Sequence, residues 1–151
     1  MATTVSDLEA HLGYWLRFVS NHVSRVFALL LQDKGVTVAE WVAMRRLFGE
    51  GEVAPSLLAD RIGMTRGAIT KLADRLIGKG LVVRRADPQD GRAQTLALTA
   101  RGRALIPELA ALADDNDAEF FRILTTHERR VLRRLLERLV EQNGLKIVPV
   151  D

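Results

Sequence analysis

Cysteine is absent from the 151 residues. That excludes a disulfide framework, thiolate metal sites, a cysteine nucleophile and a cysteine redox sensor. Aromatic residues are scarce too, at 5% against 48% hydrophobic residues overall. The core must therefore come from Leu, Val, Ile and Ala, and Leu and Ala lose little side-chain freedom in helices. No apolar run approaches the roughly 20 residues that span a bilayer. The opening MATTVSDLEAHLGYW has no basic stretch followed by a long apolar one, so no signal peptide is expected. These absences lead to the expectation of a soluble, cytoplasmic protein with no membrane partner.

Charge is present but unevenly placed. The net charge of +3 and a pI of about 9.8 are only mildly basic. Between residues 65 and 92, however, Arg66, Lys71, Arg75, Lys79, Arg84, Arg85 and Arg92 face only Asp74, Asp87 and Asp90. From 101 to 142, eight arginines are balanced by eight acids. Positive charge is concentrated in one segment, as a phosphate-binding surface requires.

Apolar periodicity organises the chain as one domain, 1–151, that is mainly helical. Leu8, Leu12, Val19, Val23, Val26 and Leu30 recur at helical spacing over 6–32, with Ser6 or Asp7 as the expected cap and Lys34-Gly35 as the stop. A second helix is expected near 38–48, carrying Trp41, Met44 and Leu47 on one face and stopped by Gly49 and Gly51. Pro55 suits a first helical turn, where its missing N–H costs nothing. A short helix should follow to Ile62, and a longer one should run over 65–77 with Gly78 and Gly80 as stops. Two short strands are expected at 82–85 and 94–98 around a loop at 86–92, and no others. Helices resume after Thr99, and the last opens on the capping box Thr125-Thr126-His127-Glu128. The apolar stripe beyond it contains Val131, Leu132, Leu135, Leu136, Leu139 and Val140.

Residues 55–92 carry the functional signal. Counting Pro55 as first, the fourth, eighth, tenth, fifteenth and eighteenth positions are Leu58, Ile62, Met64, Ile69 and Leu72, all apolar. The fifth is the small Ala59, where a second helix must cross closely, and the ninth is the turn residue Gly63. That is a helix-turn-helix, and the hairpin after it completes a winged helix. Its second helix is expected to enter a DNA major groove by its N-terminal half. Thr65, Arg66, Gly67, Thr70 and Lys71 would then face DNA, with Arg66 placed to read guanine and the threonines to meet phosphate or a thymine methyl. Arg75 adds to the positive face. At the hairpin tip, Arg92 is expected in the minor groove and Asp90 is expected to orient it or a neighbouring arginine. Arg84 and Arg85 are candidates for phosphate. The competing reading of Arg66 and Lys71 is that they are solvated surface cations.

The order of two helices, LLADRIGMTRGAITKLADRLIGKGLVVRRADPQDGRAQTLALTARGRAL, then two more helices resembles the MarR (multiple-antibiotic-resistance regulator) family over essentially the whole chain. The most specific part runs from Leu81 through DGR to Leu98, Thr99 and Gly102. The resemblance implies a homodimer with interleaved terminal helices, binding a pseudo-palindromic operator in double-stranded DNA. It also implies a repressor that a small aromatic or anionic effector releases. On this reading 36–98 form the DNA-binding lobe, and 6–33 with 100–144 form the dimerisation lobe. The alternative for the terminal helices is that they fold back on their own domain.

An effector site is sought on the first helix. At about 100° per residue, His11, Trp15, Phe18 and His22 fall within about 60° of one another, and Trp41 and Arg45 are expected to close the pocket with Arg17. Aromatics and histidines at this spacing equally describe core or dimer packing. His11 and His22 lie three turns apart, too far to share a metal ion, so no metal is expected. His127-Glu128-Arg129-Arg130-Val131 lacks the second histidine of a zinc motif, and Asp115, Asp117 and Glu119 lack a calcium loop's glycine and terminal glutamate. No catalytic residues and no cofactor are expected. Two other readings compete: a winged helix used for protein assembly, which a surface rich in cations disfavours, and a non-specific architectural DNA binder.

Overall fold

The computed structural model describes residues 3–145. Its helices are α1 (Leu12–Gln32), α2 (Val38–Glu50), α3 (Pro55–Ile62), α4 (Arg66–Gly78), α5 (Ala100–Phe120) and α6 (Thr126–Gln142). Strands β1 (Val82–Ala86) and β2 (Gln94–Leu98) pair antiparallel, with Val82 opposite Leu98 and Ala86 opposite Gln94. The chain is mainly helical with one hairpin, as expected.

Three boundaries differ from the expectation. The first helix does not run from Ser6: a single 3-10 turn at Leu8–Ala10 ends at His11, whose extended backbone (φ −98°, ψ 125°) separates it from α1. Neither Asp7 nor His11 caps with its side chain. Gly49 and Gly78 lie inside α2 and α4 instead of stopping them. Gly51 (φ 82°) and Gly80 (φ 71°) are the residues beyond those ends that adopt the left-handed backbone. Lastly, Val53 bridges Leu96, its N–H donating to Leu96 O (3.0 Å) and its carbonyl accepting from Leu96 N (2.8 Å). The hairpin thus has a third, one-residue edge that no periodicity could announce.

The core is built from Leu, Ile, Val and Ala. Leu58, Ala59 and Ile62 of α3 and Ile69, Leu72 and Leu76 of α4 are buried with Met44 and Leu47 of α2 and Leu96 of β2. Leu31, Ile106 and Leu109 join the same cluster, so the end of α1 and the first half of α5 belong to the core of the central lobe. The rest of the terminal helices is different. Leu31 is the buried residue of α1, and no residue of α6 is buried. Leu12, Trp15, Leu16 and Phe18 on α1 and Leu135, Leu136, Leu139 and Val140 on α6 are all exposed. Among the described residues no helix is long and apolar enough to cross a membrane.

α6 begins as the sequence implies. Thr125 Oγ1 accepts from Glu128 N (3.1 Å) and Glu128 Oε1 accepts from Thr125 N (2.9 Å). The backbone N–H and then the hydroxyl of Thr125 hold the Glu128 carboxyl below the usual glutamate range.

Candidate nucleic-acid interface

Helices α3 and α4 meet through a turn in which Gly63 takes φ 72°. Ala59 is 1% exposed, which explains the need for a small side chain there. Thr65 caps α4, its Oγ1 accepting from Ala68 N at 3.1 Å. From that start α4 sorts its residues by face. Ile69, Leu72, Ala73 and Leu76 are buried, whereas Thr65, Arg66, Gly67, Thr70 and Lys71 are exposed. The Thr70 hydroxyl donates to Arg66 O (2.9 Å), which leaves its methyl and lone pairs for a ligand. A Cβ at Gly67 would meet no atom within 4 Å. The protomer's own packing does not demand glycine there; close approach by a partner would.

Ion pairing divides the seven cations of this region into two groups. Arg75 Nε and Lys79 Nζ lie 3.4 and 2.8 Å from carboxylate oxygens of Glu40. Arg84 Nη2 is 2.7 Å from Asp74 Oδ1, and Arg85 Nη1 is 2.9 Å from Glu52 Oε1. Glu52 also accepts from Thr95 Oγ1 (3.3 Å). Among the described residues Arg66, Lys71 and Arg92 have no carboxylate within 4.0 Å and are exposed. Cations without an ion-paired partner therefore sit on the first two turns of α4 and at the hairpin tip. Arg75, Arg84 and Arg85, expected on the DNA face, are exposed and paired with the protein's own acids.

The tip is shaped by two aspartates. Asp87 Oδ1 accepts from Gln89 N (2.9 Å), and Asp90 Oδ1 accepts from Arg92 N (3.0 Å). Ala93 N donates to Asp90 O and Asp87 N to Ala93 O, both at 3.0 Å. Asp90 thus accepts from Arg92, through the backbone N–H rather than the guanidinium, and holds it in an Asx turn. The guanidinium of Arg92 stays free.

The base of the hairpin explains Leu98, Thr99 and Gly102. Thr99 Oγ1 accepts from Gly102 N (3.0 Å), capping α5, and donates to Gly80 O (2.7 Å) just past α4. Thr99 N donates to Leu81 O (3.1 Å). One residue therefore joins the starts of α5 and β1 to the end of α4.

The proposed effector residues are dispersed. His11 lies before α1, its Nδ1 3.3 Å from Leu8 O. Its placement on a common helical face with Trp15, Phe18 and His22 does not hold, because the helix starts after it. Trp15 donates Nε1–H to Glu9 O (2.9 Å), and Phe18 is exposed beside Tyr14. Trp41 stacks edge-on to Phe27, and Arg45 lies over Phe48, whose ring also faces Arg103. His22 alone of the six borders a described cleft, of about 310 Å³, beside Phe120 and Asn116.

Sequence reasoning missed Glu40, Glu52 and Asp74 as the partners of the basic residues. For Glu40 a signal existed: Thr37 and Glu40 have the same Thr-x-x-Glu spacing as Thr125 and Glu128, and they form a second capping box.

Comparison with known proteins agrees with this geometry. A family model described as "MarR family" matches residues 36–93. The HTH-type transcriptional repressor Rv2887 of Mycobacterium tuberculosis is 32% identical over 131 residues, covering 87% of this chain and 94% of that protein. The multiple antibiotic resistance protein MarR of Escherichia coli is 27% identical over 130 residues, covering 85% and 90%. Among solved structures, a mutant of E. coli MarR complexed with operator DNA superposes with a TM-score of 0.79 at 28% identity, over 89% of this chain and 99% of that one. A probable transcriptional regulator from Pseudomonas aeruginosa gives 0.78 at 32% identity, over 88% and 99%.

Proposed function

The chain belongs to the MarR family, and from that premise we propose that it is a homodimeric, sequence-specific DNA-binding repressor of transcription. The observation that carries the reading is the distribution of free charge. Arg66 and Lys71 on α4 and Arg92 on the hairpin tip are exposed without ion-paired partners among the described residues, while the other four cations nearby share the carboxylates of Glu40, Asp74 and Glu52. α4 enters the major groove by its N-terminal half. Arg66 reads guanine O6 and N7, the Thr70 methyl meets thymine, and Thr65 and Lys71 contact phosphate. Gly67 lets the helix backbone come close. Arg92 enters the minor groove, held at the tip by Asp90. Arg75 and Arg85 are half-exposed and Arg84 is 34% exposed even when paired, and they contribute to the potential felt by the phosphates.

Dimerisation is supported by the terminal helices. Leu135, Leu136, Leu139 and Val140 of α6 and Leu12, Trp15, Leu16 and Phe18 of α1 lie exposed. Apolar surface of this extent marks an association site. Two copies related by a two-fold axis present two α4 helices to one face of a duplex, which is why the operator is an inverted repeat.

Selection of binding sites from random duplex DNA, with stoichiometry recorded, tests the proposal. An enriched inverted repeat with half-sites about one helical turn apart and two chains per duplex is expected. Binding without enrichment, vanishing at moderate salt, would instead indicate phosphate contacts alone.

A further inference from the structure

Glu40 is 1% exposed and fully engaged. Its Oε2 accepts from Thr37 N (3.1 Å) and from Lys79 Nζ (2.8 Å), and its Oε1 accepts from Lys79 Nζ at 3.1 Å and faces Arg75 Nε at 3.4 Å. Lys79 Nζ also donates to Gly35 O (2.8 Å), in the turn between α1 and α2. Both cations belong to the far end of α4: Arg75 is in its last turn and Lys79 is its C-cap. The negative charge sits at the third position of α2 and the positive charges at the end of α4, so each complements its own helix dipole. The start of α2 and the end of α4 are thereby joined by opposite charges.

We propose that Glu40 is a positioning residue for DNA recognition: with Lys79 and Arg75 it fixes the tilt of α4 and so the place of Arg66 in the groove. The inference rests on the reading of α4 as the base-reading helix. Thr99 Oγ1 and Arg101 Nη1 also donate to the Gly80 and Lys79 carbonyls (2.7 and 3.0 Å), pinning the backbone at the end of α4, but the contacts along the helix itself are poorly suited to setting its tilt. Ile69, Leu72, Ala73 and Leu76 pack by apolar contact, which is not directional and tolerates small rotations. The tether from Asp74 to Arg84 is 59% and 34% exposed, and exposed pairs constrain weakly. A buried, multiply bonded carboxylate is directional, and buried ionic groups are best attested as devices that specify arrangement. Leverage does the rest. Arg66 lies about 20 Å along the helix axis from Lys79, so a tilt of roughly 5° displaces it by nearly 2 Å. Hydrogen bonds to base edges do not survive that shift, since their donor–acceptor distances span only about 0.5 Å. Contacts to the phosphate field would scarcely change.

The test compares Glu40→Gln and Lys79→Met with the wild-type full-length chain, using an operator obtained by selection and a random duplex of equal length. All are measured well below each variant's thermal midpoint. Glu40→Gln keeps an acceptor for Thr37 N and the shape of the side chain but removes its charge; Lys79→Met breaks the same network from its exposed side. The expected result is a loss of about tenfold on the operator, the scale of one good base contact, with random-duplex affinity changed by less than about twofold. Arg66→Ala should then cost less in the Glu40→Gln background than in wild type, because Arg66 is already displaced. If both folded variants keep the wild-type ratio of operator to random affinity, Glu40 is only a stability residue and the inference fails, while α4 remains the reader. If the wild-type chain selects no sequence at all, base readout fails and takes this inference with it.

Discussion

Gly102 at the start of α5 lies so close to Leu81 that a Cβ on it would stand 2.1 Å from the Leu81 carbonyl oxygen. The glycine is required by this contact between α5 and the residue leading into β1. Gly102→Ala forces backbone apart where Thr99 also ties the end of α4. It should destabilise by about 1–3 kcal/mol, the usual cost of overpacking. Urea unfolding checks this, and an unchanged midpoint would contradict the packing described.

Arg66→Ala should weaken operator binding by about 1–3 kcal/mol, the worth of a bidentate base contact. It should also relax base preference at one position of each half-site. Affinities across a panel of single-base variants measure both effects, and an equal loss on every sequence would remove Arg66 from base readout.

Arg92→Ala should weaken binding and lower the dependence of log K on log salt by about one unit, as for a lost phosphate-field contact. Asp90→Ala should reproduce part of that loss, since the turn that presents Arg92 is held by the Asp90 carboxylate. An unaltered affinity in Arg92→Ala would show that the hairpin tip does not touch DNA.

Leu136→Glu places a charge on the exposed apolar face of α6. Sedimentation should show monomers at concentrations where the wild-type chain is dimeric, and operator affinity should fall because two half-sites are no longer bound as a unit. A variant that stays dimeric would locate the interface elsewhere.

The Glu128 carboxyl should titrate below an ordinary glutamate, because Thr125 N–H and then its hydroxyl favour the ionised form. A depressed folded-state value means that the cap's contribution is present above the unfolded-state value and is lost as pH falls through the folded one. Thr125→Ala should move the titration part of the way back, as followed by carboxyl NMR shifts.

Residues 55–98 were legible because their signals are local. Leu58, Ala59, Ile62, Gly63, Ile69 and Leu72 each declare themselves by spacing within one turn-sized window, and Asp90-Gly91-Arg92 declares a tip. The pairings that hold the interface were not legible. Glu40 meets Lys79 across 39 positions and Glu52 meets Arg85 across 33, and no period links such residues. The acids paired with Arg75, Arg84 and Arg85 went unread because a sequence displays charge without displaying its partner. His11 was misplaced for a different reason: a helical period continues smoothly through a residue whose backbone does not. Of the effector candidates only His11 is affected, since Trp15, Phe18 and His22 share the continuous α1.

No residue of the final helix is fully buried within its own chain, where only Val131 and Leu132 are partly covered. If α6 is completed by a second copy, the free energy that this encounter adds grows with the logarithm of how many copies are present. Dilution alone should lower the melting temperature. In a cell, the abundance of this protein would decide both how many operators are filled and how many of its molecules possess a finished structure.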